Sequence, residues 1–438
     1  MAANILKLSV PITIGQLVTL LYNVADRAFI GQMPGTGQTA MAGIGLTFPV
    51  VTGVAAFTAL FSTGGASLFS IERGKGHHET CGRILWITLV SLTVTGLVLT
   101  GLLYFWMKPL LFAFGASQDT WPFTRDYLDV ALNSTVFLMV GSGLTSFISA
   151  MSFAKTAMTL TCFGALLNLC MDPIFIYTWN MGITGAAWST VISQVLSGIG
   201  VLWFLRSGKS LYPIRPHPFS WSLFRQTVTL GMAGFVMQVT NCINQVVCSR
   251  TLARYGSDLY ISILTVVNSV RELMFMPMNG IASGAQPVLG FNYGAGQPER
   301  VRKGINILTV LEVGWALLAW GLVHLSARQI LATFTSAPEV ITTGEVCLKV
   351  YFAGFFMMAF MSSGQSVFGG LGLAPYAIFF STLRKLIVVV PLTLLLPRYY
   401  GVMGVFMAEP VSNFVGGIAC HVTMRIKTGK LLRKGSES

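Results

Sequence analysis

The chain is poor in charged residues and lacks any ordered cysteine pattern, and both deficits narrow what the protein can be. Only 10% of its 438 residues are Asp, Glu, Lys or Arg, whereas soluble domains carry about 25%. Hydrophobic residues make up 53%, so the chain belongs in a membrane. Its seven cysteines are scattered without paired or metal-binding spacing. We therefore expect free thiols and no disulfide framework.

Motifs of soluble enzymes are also missing. The segment GKS at 208–210 ends like a phosphate-binding loop, but Trp203 stands where the first glycine of that motif belongs. The chain therefore does not hydrolyse ATP by that route. The N-terminus runs directly into an apolar stretch, so no cleavable signal is evident. We expect no enzymatic activity and no cofactor, and any pumping should be driven by an ion gradient.

Twelve apolar runs follow one another along the chain, and each approaches the ~20 residues that a membrane-spanning helix needs. They predict an all-α membrane protein with twelve transmembrane helices. Proline and glycine, among them Pro277, Gly280 and Gly284, interrupt the eighth run, and neighbouring helices or a cavity should satisfy the freed backbone groups. The runs cover approximately residues 8–31, 42–71, 84–107, 127–151, 156–178, 183–205, 227–253, 259–290, 304–325, 346–370, 374–397 and 401–424.

Lysine and arginine are distributed unevenly between alternate loops. One side collects Lys7, Lys155 and the basic segments 300–303 and 425–434, whereas the opposite loops hold few such residues. By the positive-inside rule, both termini lie in the cytoplasm and the protein spans the inner (plasma) membrane several times. The net charge of +13 comes mostly from basic residues in these loops, and we do not expect them to form a phosphate-binding face. We expect the lipid bilayer as a partner, no nucleic acid, and a monomer.

The two halves of the chain resemble each other at an offset near 220 residues. Residues 74–79 (GKGHHE) match residues 294–299 (GAGQPE) at an offset of 220, and residues 182–185 match residues 401–404 at 219. Six spans per half is an even number, so two six-helix lobes should share one orientation and be related by a parallel, pseudo-two-fold repeat. We assign the N-terminal lobe (spans 1–6) to residues 1–205, a cytoplasmic linker to 206–225, the C-terminal lobe (spans 7–12) to 226–425 and a basic cytoplasmic tail to 426–438.

The first span carries an acid inside its apolar stretch. An intramembrane carboxylate such as Asp26 costs a few kcal/mol even on the gentler insertion scales, so chains rarely keep one without a use. Tyr22 and Asn23 lie four and three residues earlier on the same helical face. Pro11 is expected in the first turn of the helix, where its missing donor costs nothing. Asp26 is either a structural acid neutralised by a neighbour or a protonatable site in a transport pathway.

A second acid, Asp172, lies at a similar predicted depth in the fifth span. The helical rise places both carboxylates roughly 7–9 Å below the outer rim, and Asn168 precedes Asp172 by one turn. In the repeat, Asp26 corresponds to Asn244 and Asp172 to Val390. A requirement of the fold would apply to both halves, so we interpret the two acids as a functional pair. Together with Asn168, they could share a proton or hold Na⁺ among oxygen ligands.

The second half contains further acids within its spans, together with several cations. Glu272, Glu312 and Glu409 accompany Arg250, Arg271, Lys349, Arg384 and Lys385. Two interpretations stay open: the charges pair inside the helix bundle, or Glu272 and Glu409 line a substrate cavity. Methionines around Pro277 suit a pliable wall for apolar ligands, although plain packing explains them equally. The other candidates for the cavity are Gln238, Asn241, Gln245, Asn268, Met274, Met278 and Gln365.

Three segments of the chain form distinctive motifs: YNVADRAFIGQ at 22–32, AQPVLGFNYGAGQPERVRK at 285–303 and GVMGVFMAEPVSN at 401–413. They resemble, in that order, the first helix, the signature at the end of the eighth helix, and the twelfth helix of the multidrug and toxic compound extrusion (MATE) transporters. The resemblance implies two six-helix lobes, alternating access, and antiport of cationic amphipathic compounds against H⁺ or Na⁺.

The resemblance also implies a place for the coupling ion. In one branch of the family, an acid in helix one and an Asn-x-x-x-Asp in helix five form the cation site, and Asp26, Asn168 and Asp172 match that pattern. Other branches couple through acids of the second lobe, which leaves Glu272 and Glu409 open.

Two functions follow from these observations. The first is an ion-coupled exporter of small organic cations. The second is a flippase for lipid-linked saccharides, which relatives in the same superfamily perform. A flippase should line its cavity with cations that hold a pyrophosphate. The first-half spans contain no deep Lys or Arg except Arg27 near the rim, which favours the exporter.

Overall fold

The computed structural model describes residues 1–33, 43–45, 47–113, 118, 120–255, 258–334 and 338–434. Nearly all of these residues are helical, and within those ranges none forms a β-strand. Short 3₁₀ or π-helical turns join some of the helices at Leu132–Ser134, Ile174–Thr178 and Leu383–Val389. The α-helices are α1 Ala2–Gly31, α2 Phe48–Gly74, α3 His78–Ala113, α4 Trp121–Ala131, α5 Thr135–Ala150, α6 Ala154–Pro173, α7 Gly182–Arg206, α8 Trp221–Tyr255, α9 Asp258–Gly294, α10 Pro298–Phe334, α11 Pro338–Phe352, α12 Phe355–Gly370, α13 Ala374–Thr382, α14 Val390–Leu395, α15 Pro397–Tyr400 and α16 Met403–Lys434.

Each of the twelve predicted spans corresponds to one helix or to a series of consecutive helices. Nine stretches in the described part of the chain are long and apolar enough to cross a membrane, and α11 with α12, bent by 44° at their junction, makes a tenth. The seventh and eighth predicted spans are α8 and α9, of 35 and 37 residues. These two carry many of the polar residues singled out above. The all-α class of a multi-pass membrane protein is therefore confirmed.

The predicted repeat has a clear backbone signature. Gly76 and Gly296 both have positive φ, at +80° and +64°, and so do Gly182 and Gly401, at +58° and +56°. The turns at Gly76 and Gly296 have the same hydrogen-bond pattern. The amide of His77 donates to the Glu72 carbonyl, and the amide of Gln297 donates to the Asn292 carbonyl. Glycine reaches this left-handed conformation without a steric penalty. The spaced glycines in the sequence thus mark equivalent turns.

The chain forms two compact units. One comprises Ile14–Phe235, and the other comprises Met1–Thr13 with Val236–Ser438. We call them the acidic unit and the basic unit, after the side chains described below. The unit boundaries fall inside α1 and α8. The lobe limits expected from the sequence, 1–205 and 226–425, stay a prediction.

A close helix contact explains why the first residues belong to the basic unit. Gly280 and Gly284 of α9 lie directly against Thr13 and Ser9 of α1, so that a Cβ at either glycine would overlap those residues. The Ser9 hydroxyl donates to the Ile281 carbonyl at 3.3 Å. Small residues four apart allow two helices to approach closely in a membrane. The expectation that these glycines interrupt the span was wrong, because α9 is continuous from Asp258 to Gly294.

The position of Pro11 also differs from the sequence expectation. α1 begins at Ala2, so Pro11 lies inside the helix and not in its first turn. The apolar pattern indicated a start near residue 8 because it measures the membrane core, whereas the helix extends beyond it.

The acidic unit has its own apolar core between α2, α3, α5 and α7. Phe69 and Phe147 are completely buried there, with ring centroids 5.4 Å apart at a steep angle. The first part of α8 packs tightly on α2, because Gly64 and Gly231 each face backbone atoms of the other helix. Beyond α7, Ser207–Ser220 forms no helix. At the other end of the chain, α16 continues to Lys434, and residues 435–438 lie outside the described ranges.

Candidate functional site

Three helices of the acidic unit bring polar side chains together in an otherwise apolar interior. We call this the acidic cluster: Asp26 of α1, Asn168 and Asp172 of α6, and Ser189 and Thr190 of α7. Asp172 is fully buried, and Asp26 is only 9% exposed. The positions follow from helical spacing, since Asn168 precedes Asp172 by one turn on α6. Ser189 and Thr190 face them from α7, which packs along α6.

Asn168 organises the hydrogen bonds of the acidic cluster. Its amide Nδ2, which carries two N–H donors, lies within hydrogen-bonding distance of Asp172 Oδ1 at 3.4 Å, Ser189 Oγ at 3.3 Å and Thr190 Oγ1 at 3.3 Å. The Ser189 hydroxyl donates to the same Oδ1 of Asp172. One oxygen of the Asp172 carboxyl is thus saturated by donors and fixed in position.

Three other oxygens of the cluster have no donors. Asp26 Oδ1, Asn168 Oδ1 and Asp172 Oδ2 are buried and lack hydrogen-bond partners among the described residues. The carboxyls of Asp26 and Asp172 lie within hydrogen-bonding reach of each other. Ionised carboxylates only accept hydrogen bonds, so this contact becomes favourable when a proton or a metal cation lies between them. Such an arrangement can bind and release a small cation.

Two tyrosines stand beside the carboxyls. Tyr22 and Tyr127 are both close enough to Asp26 and Asp172 to interact with them electrostatically, and the Tyr127 hydroxyl lies within hydrogen-bonding reach of Thr190. Asn23, the other neighbour expected from the sequence, is exposed, and its amide donates to the Thr19 carbonyl at 2.8 Å. Tyr127 was not anticipated, because a tyrosine in a span carries no charge that would single it out.

Apolar residues close the acidic cluster on the side of the chain turn that follows Asp172. Ile30, Ile176 and Ile183 form a buried group there. The Tyr177 hydroxyl donates to the Phe29 carbonyl at 2.6 Å, which fastens the π-helical turn Ile174–Thr178 to the end of α1. This apolar cover lowers the local dielectric constant, and a low dielectric strengthens the attraction between the carboxylates and a bound cation.

The basic unit contains a second, oppositely charged group. We call it the basic cluster: Arg271 of α9, Arg384 and Lys385 of the π-helical turn Leu383–Val389, and Glu409 with Asn413 of α16. Arg384 Nη1 donates to Glu409 Oε1 at 3.0 Å and to Asn413 Oδ1 at 3.1 Å. Lys385 Nζ donates to both carboxylate oxygens of Glu409, at 3.1 and 3.3 Å. Arg271 lies within electrostatic range of Glu409.

The other cavity candidates of the basic unit have varied environments. Glu272 is exposed, and Gln365 donates to the Ser381 hydroxyl at 2.7 Å. Met274 and Met278 are buried within the apolar core of the unit. The polar residues Gln238, Asn241 and Gln245 lie on α8, and Asn268 lies on α9 one turn before Arg271.

Glu312 is a buried acid with a different environment from that of Glu409. Its carboxyl accepts a hydrogen bond from the Ser362 hydroxyl at 3.2 Å, and its second oxygen has no partner among the described residues. No cation of the described residues pairs with it. The basic unit therefore contains two buried glutamates of different kinds. Glu409 is paired with cations, whereas Glu312 is not.

Comparisons with known proteins agree with this architecture. A family model, MatE, matches residues 11–174 and 234–395, one segment in each half of the chain. The multidrug export protein MepA of Staphylococcus haemolyticus is 24% identical over 93% of this chain and 90% of its own length. An FAD transporter of Shewanella oneidensis is 23% identical over 95% and 93%.

A solved structure described as the outward-facing conformation of a multidrug resistance MATE family transporter superimposes with a TM-score of 0.91. It is 22% identical and covers 99% of this chain and 97% of its own. The family match covers more than half of the chain, and it explains the two-fold internal repeat. The chain belongs to the MatE family of multidrug efflux transporters.

Proposed function

We propose that the protein is an ion-coupled antiporter in which the acidic cluster binds the coupling cation. The observation that carries this proposal is the pair of buried carboxyls, Asp26 and Asp172, which act on each other and each have one buried oxygen without a donor. Two carboxylates at short range repel each other in a low dielectric, so the pair gains free energy when H⁺ or Na⁺ enters. Energy stored in an ion gradient can then drive export against a concentration gradient.

The side chains of the acidic cluster have distinct parts in this mechanism. Asp26 on α1 and Asp172 on α6 hold the cation, and Asn168 and Ser189 fix the Asp172 carboxyl by donating to it. Cation binding draws the two helices together, and cation release lets the carboxylates repel. A change in the packing of α1 against α6 is the step that would alternate with substrate release.

The substrates we propose are small organic cations of amphipathic character. The multidrug exporters among the relatives support this choice, and a positive substrate can compete with the coupling ion for the same carboxylates. We further propose a plasma-membrane location with both termini in the cytoplasm, since the Lys and Arg bias alternates through the spans. We infer transport without catalysis, by a monomer.

Transport in reconstituted vesicles tests the coupling. Ethidium flux is followed by fluorescence with a pH gradient or a Na⁺ gradient imposed separately, which also identifies the ion. Asp26→Asn and Asp172→Asn should each abolish gradient-driven flux, because asparagine has nearly the same shape but cannot carry the charge. Ethidium binding without a gradient, circular dichroism and elution volume should be preserved.

Asp129→Asn is the matched control. Asp129 is a partly exposed acid of the same unit that pairs with Arg125 at 3.3 Å, outside the acidic cluster. Its variant should transport at the normal rate. If Asp26→Asn and Asp172→Asn also transport normally, the two acids are structural, and coupling must be sought at Glu272 or Glu409.

The basic cluster favours a second candidate function, a flippase for lipid-linked saccharides. Three buried or partly buried cations are the groups that would hold a pyrophosphate. Vesicles that carry a fluorescent lipid pyrophosphate in one leaflet test this candidate. Translocation that depends on the protein would support it, whereas an unchanged leaflet distribution would reject it.

A further inference from the structure

The basic cluster contains more positive than negative charge. Arg384 and Lys385 contact one carboxylate, Glu409, and Arg271 lies within electrostatic range of it. Arg384, Lys385 and Glu409 are at most 8% exposed, so water screens the charges of these three residues poorly. Exposed Glu272, next to Arg271 in the chain, also acts on Arg271, and counting it still leaves one positive charge in excess. An unbalanced charge inside a membrane protein is strongly unfavourable unless a counter-ion is supplied.

Arg271 is the member of the cluster with donors to spare. Its Nε is buried without a hydrogen-bond partner, and Arg271 forms no ion pair within hydrogen-bonding distance among the described residues. Arg384 and Lys385, in contrast, already donate to Glu409 and Asn413. Arg271 as a whole is only partly buried, although its Nε is buried.

The side chains at and around Arg271 indicate which kind of ligand could bind there. A guanidinium presents a planar set of donors that matches the oxygens of a carboxylate or a phosphate. Asn268 lies three residues before Arg271, on the same face of α9, and adds an amide donor at that face. The neighbouring Tyr351 and Cys248 are uncharged and do not compete for an anion.

We propose that the basic cluster binds the phosphate or carboxylate group of a small organic anion, with Arg271 as the direct ligand. Arg384 and Lys385 supply the positive field around it. Glu409 acts as an internal counter-ion that partly neutralises these two cations and so limits the affinity for the anion. The inference rests on the proposed transport function and extends its substrates to compounds that carry an anionic group.

A binding experiment on the purified protein in detergent, without any gradient, tests the inference. The probes are riboflavin 5′-phosphate and riboflavin, two fluorescent molecules that differ only in the phosphate group. We expect the phosphate form to bind more tightly. Arg271→Gln should weaken its binding roughly 10- to 100-fold, the range for loss of a charge-assisted hydrogen bond, and leave riboflavin binding unchanged. Arg271→Lys should lie between, because lysine keeps the charge but not the planar fork.

Glu409→Gln supplies a prediction of opposite sign. Removal of the internal counter-ion should tighten binding of riboflavin 5′-phosphate, whereas a cluster with a purely structural role would show no gain in anion affinity. Lys349→Gln is the control, since Lys349 pairs with Glu345 at 2.7 Å on α11, outside the basic cluster. Its variant should bind both probes as the unmodified protein does.

Competition identifies the source of the anionic group. Inorganic phosphate should displace riboflavin 5′-phosphate if the site recognises the anion itself, and displacement by farnesyl pyrophosphate at lower concentration would indicate a lipid-linked ligand. Equal affinity for the two flavins, or unchanged binding in folded Arg271→Gln, would overturn the inference. These measurements do not involve Asp26 or Asp172. Failure here therefore leaves the coupling proposal intact, and the binding result and the flux result can be told apart.

Discussion

Two buried glutamates of the basic unit should respond very differently to the same substitution. Glu409 accepts three hydrogen bonds from Arg384 and Lys385, at 3.0 to 3.3 Å. Glutamine in its place keeps one acceptor oxygen but leaves two buried cations without a counter-charge. Breaking a buried ion pair from one side costs about 3–5 kcal/mol. We expect Glu409→Gln to lower the free energy of unfolding by about 3 kcal/mol, the lower end of that range.

Glu312→Gln is the matched substitution. Glu312 is equally buried but has the Ser362 hydroxyl as its side-chain partner and no cation among the described residues. Glutamine can accept the same hydrogen bond, and a neutral amide is easier to bury than a charged carboxylate. The change in the free energy of unfolding should therefore stay within about 1 kcal/mol in either direction.

A second substitution separates the charge effect from packing. If orphaned charge causes the loss in Glu409→Gln, then adding Lys385→Met should restore part of the stability, with a coupling energy of about 1–3 kcal/mol. Unfolding is followed by tryptophan fluorescence in mixed micelles for the two single variants and the double variant. The reasoning is refuted if Glu409→Gln and Glu312→Gln lose equal stability, or if the losses at Glu409 and Lys385 simply add.

Two further predictions concern the acidic unit. Gly64→Ala should destabilise the protein by about 1–3 kcal/mol, because the new methyl group would overlap backbone atoms of α8. Gly53→Ala on the same helix faces open space and should not change the stability. Thermal unfolding of both variants measures the difference, and equal stability would contradict the close contact. Ser189→Ala removes a donor to Asp172. In the vesicle flux assay, it should weaken the apparent affinity for the coupling ion about tenfold, whereas Ser197→Ala on the same helix should leave that affinity unchanged. Equal effects of the two substitutions would exclude a role for the Ser189 hydroxyl.

The sequence predicts those features that depend on the geometry of single helices. The apolar runs locate all twelve spans because the bilayer fixes their length. The depths of Asp26 and Asp172 can be compared from residue numbers alone, because the rise per residue is constant along a helix. Likewise, Gly76 and Gly296 occupy equivalent turns because only certain residues tolerate positive φ.

Contacts between helices were harder to predict. Tyr127, Ser189 and Thr190 complete the surroundings of the two carboxyls, but hydroxyl side chains are common in membrane helices and raise no burial cost that would reveal them. Gly280 and Gly284 resemble breaks when α9 is considered alone. Their role is visible only when Ser9 and Thr13 of α1 are placed against them. The missing information in both cases is which faces of separate helices meet.

The two charged clusters differ in how each can remove its own charge. A carboxyl such as that of Asp26 or Asp172 becomes neutral by taking up a proton, so the acidic cluster can cycle between charged and neutral states with H⁺, or exchange H⁺ for Na⁺. An arginine in a protein does not lose its proton. Arg271 and Arg384 therefore keep their charges in every state, and only nearby acids such as Glu409 and Glu272, or a bound anion, can balance them. This difference supports our proposals that the acidic cluster couples transport to an ion and that the basic cluster binds a ligand, and the Asp26→Asn and Arg271→Gln variants should separate the two functions.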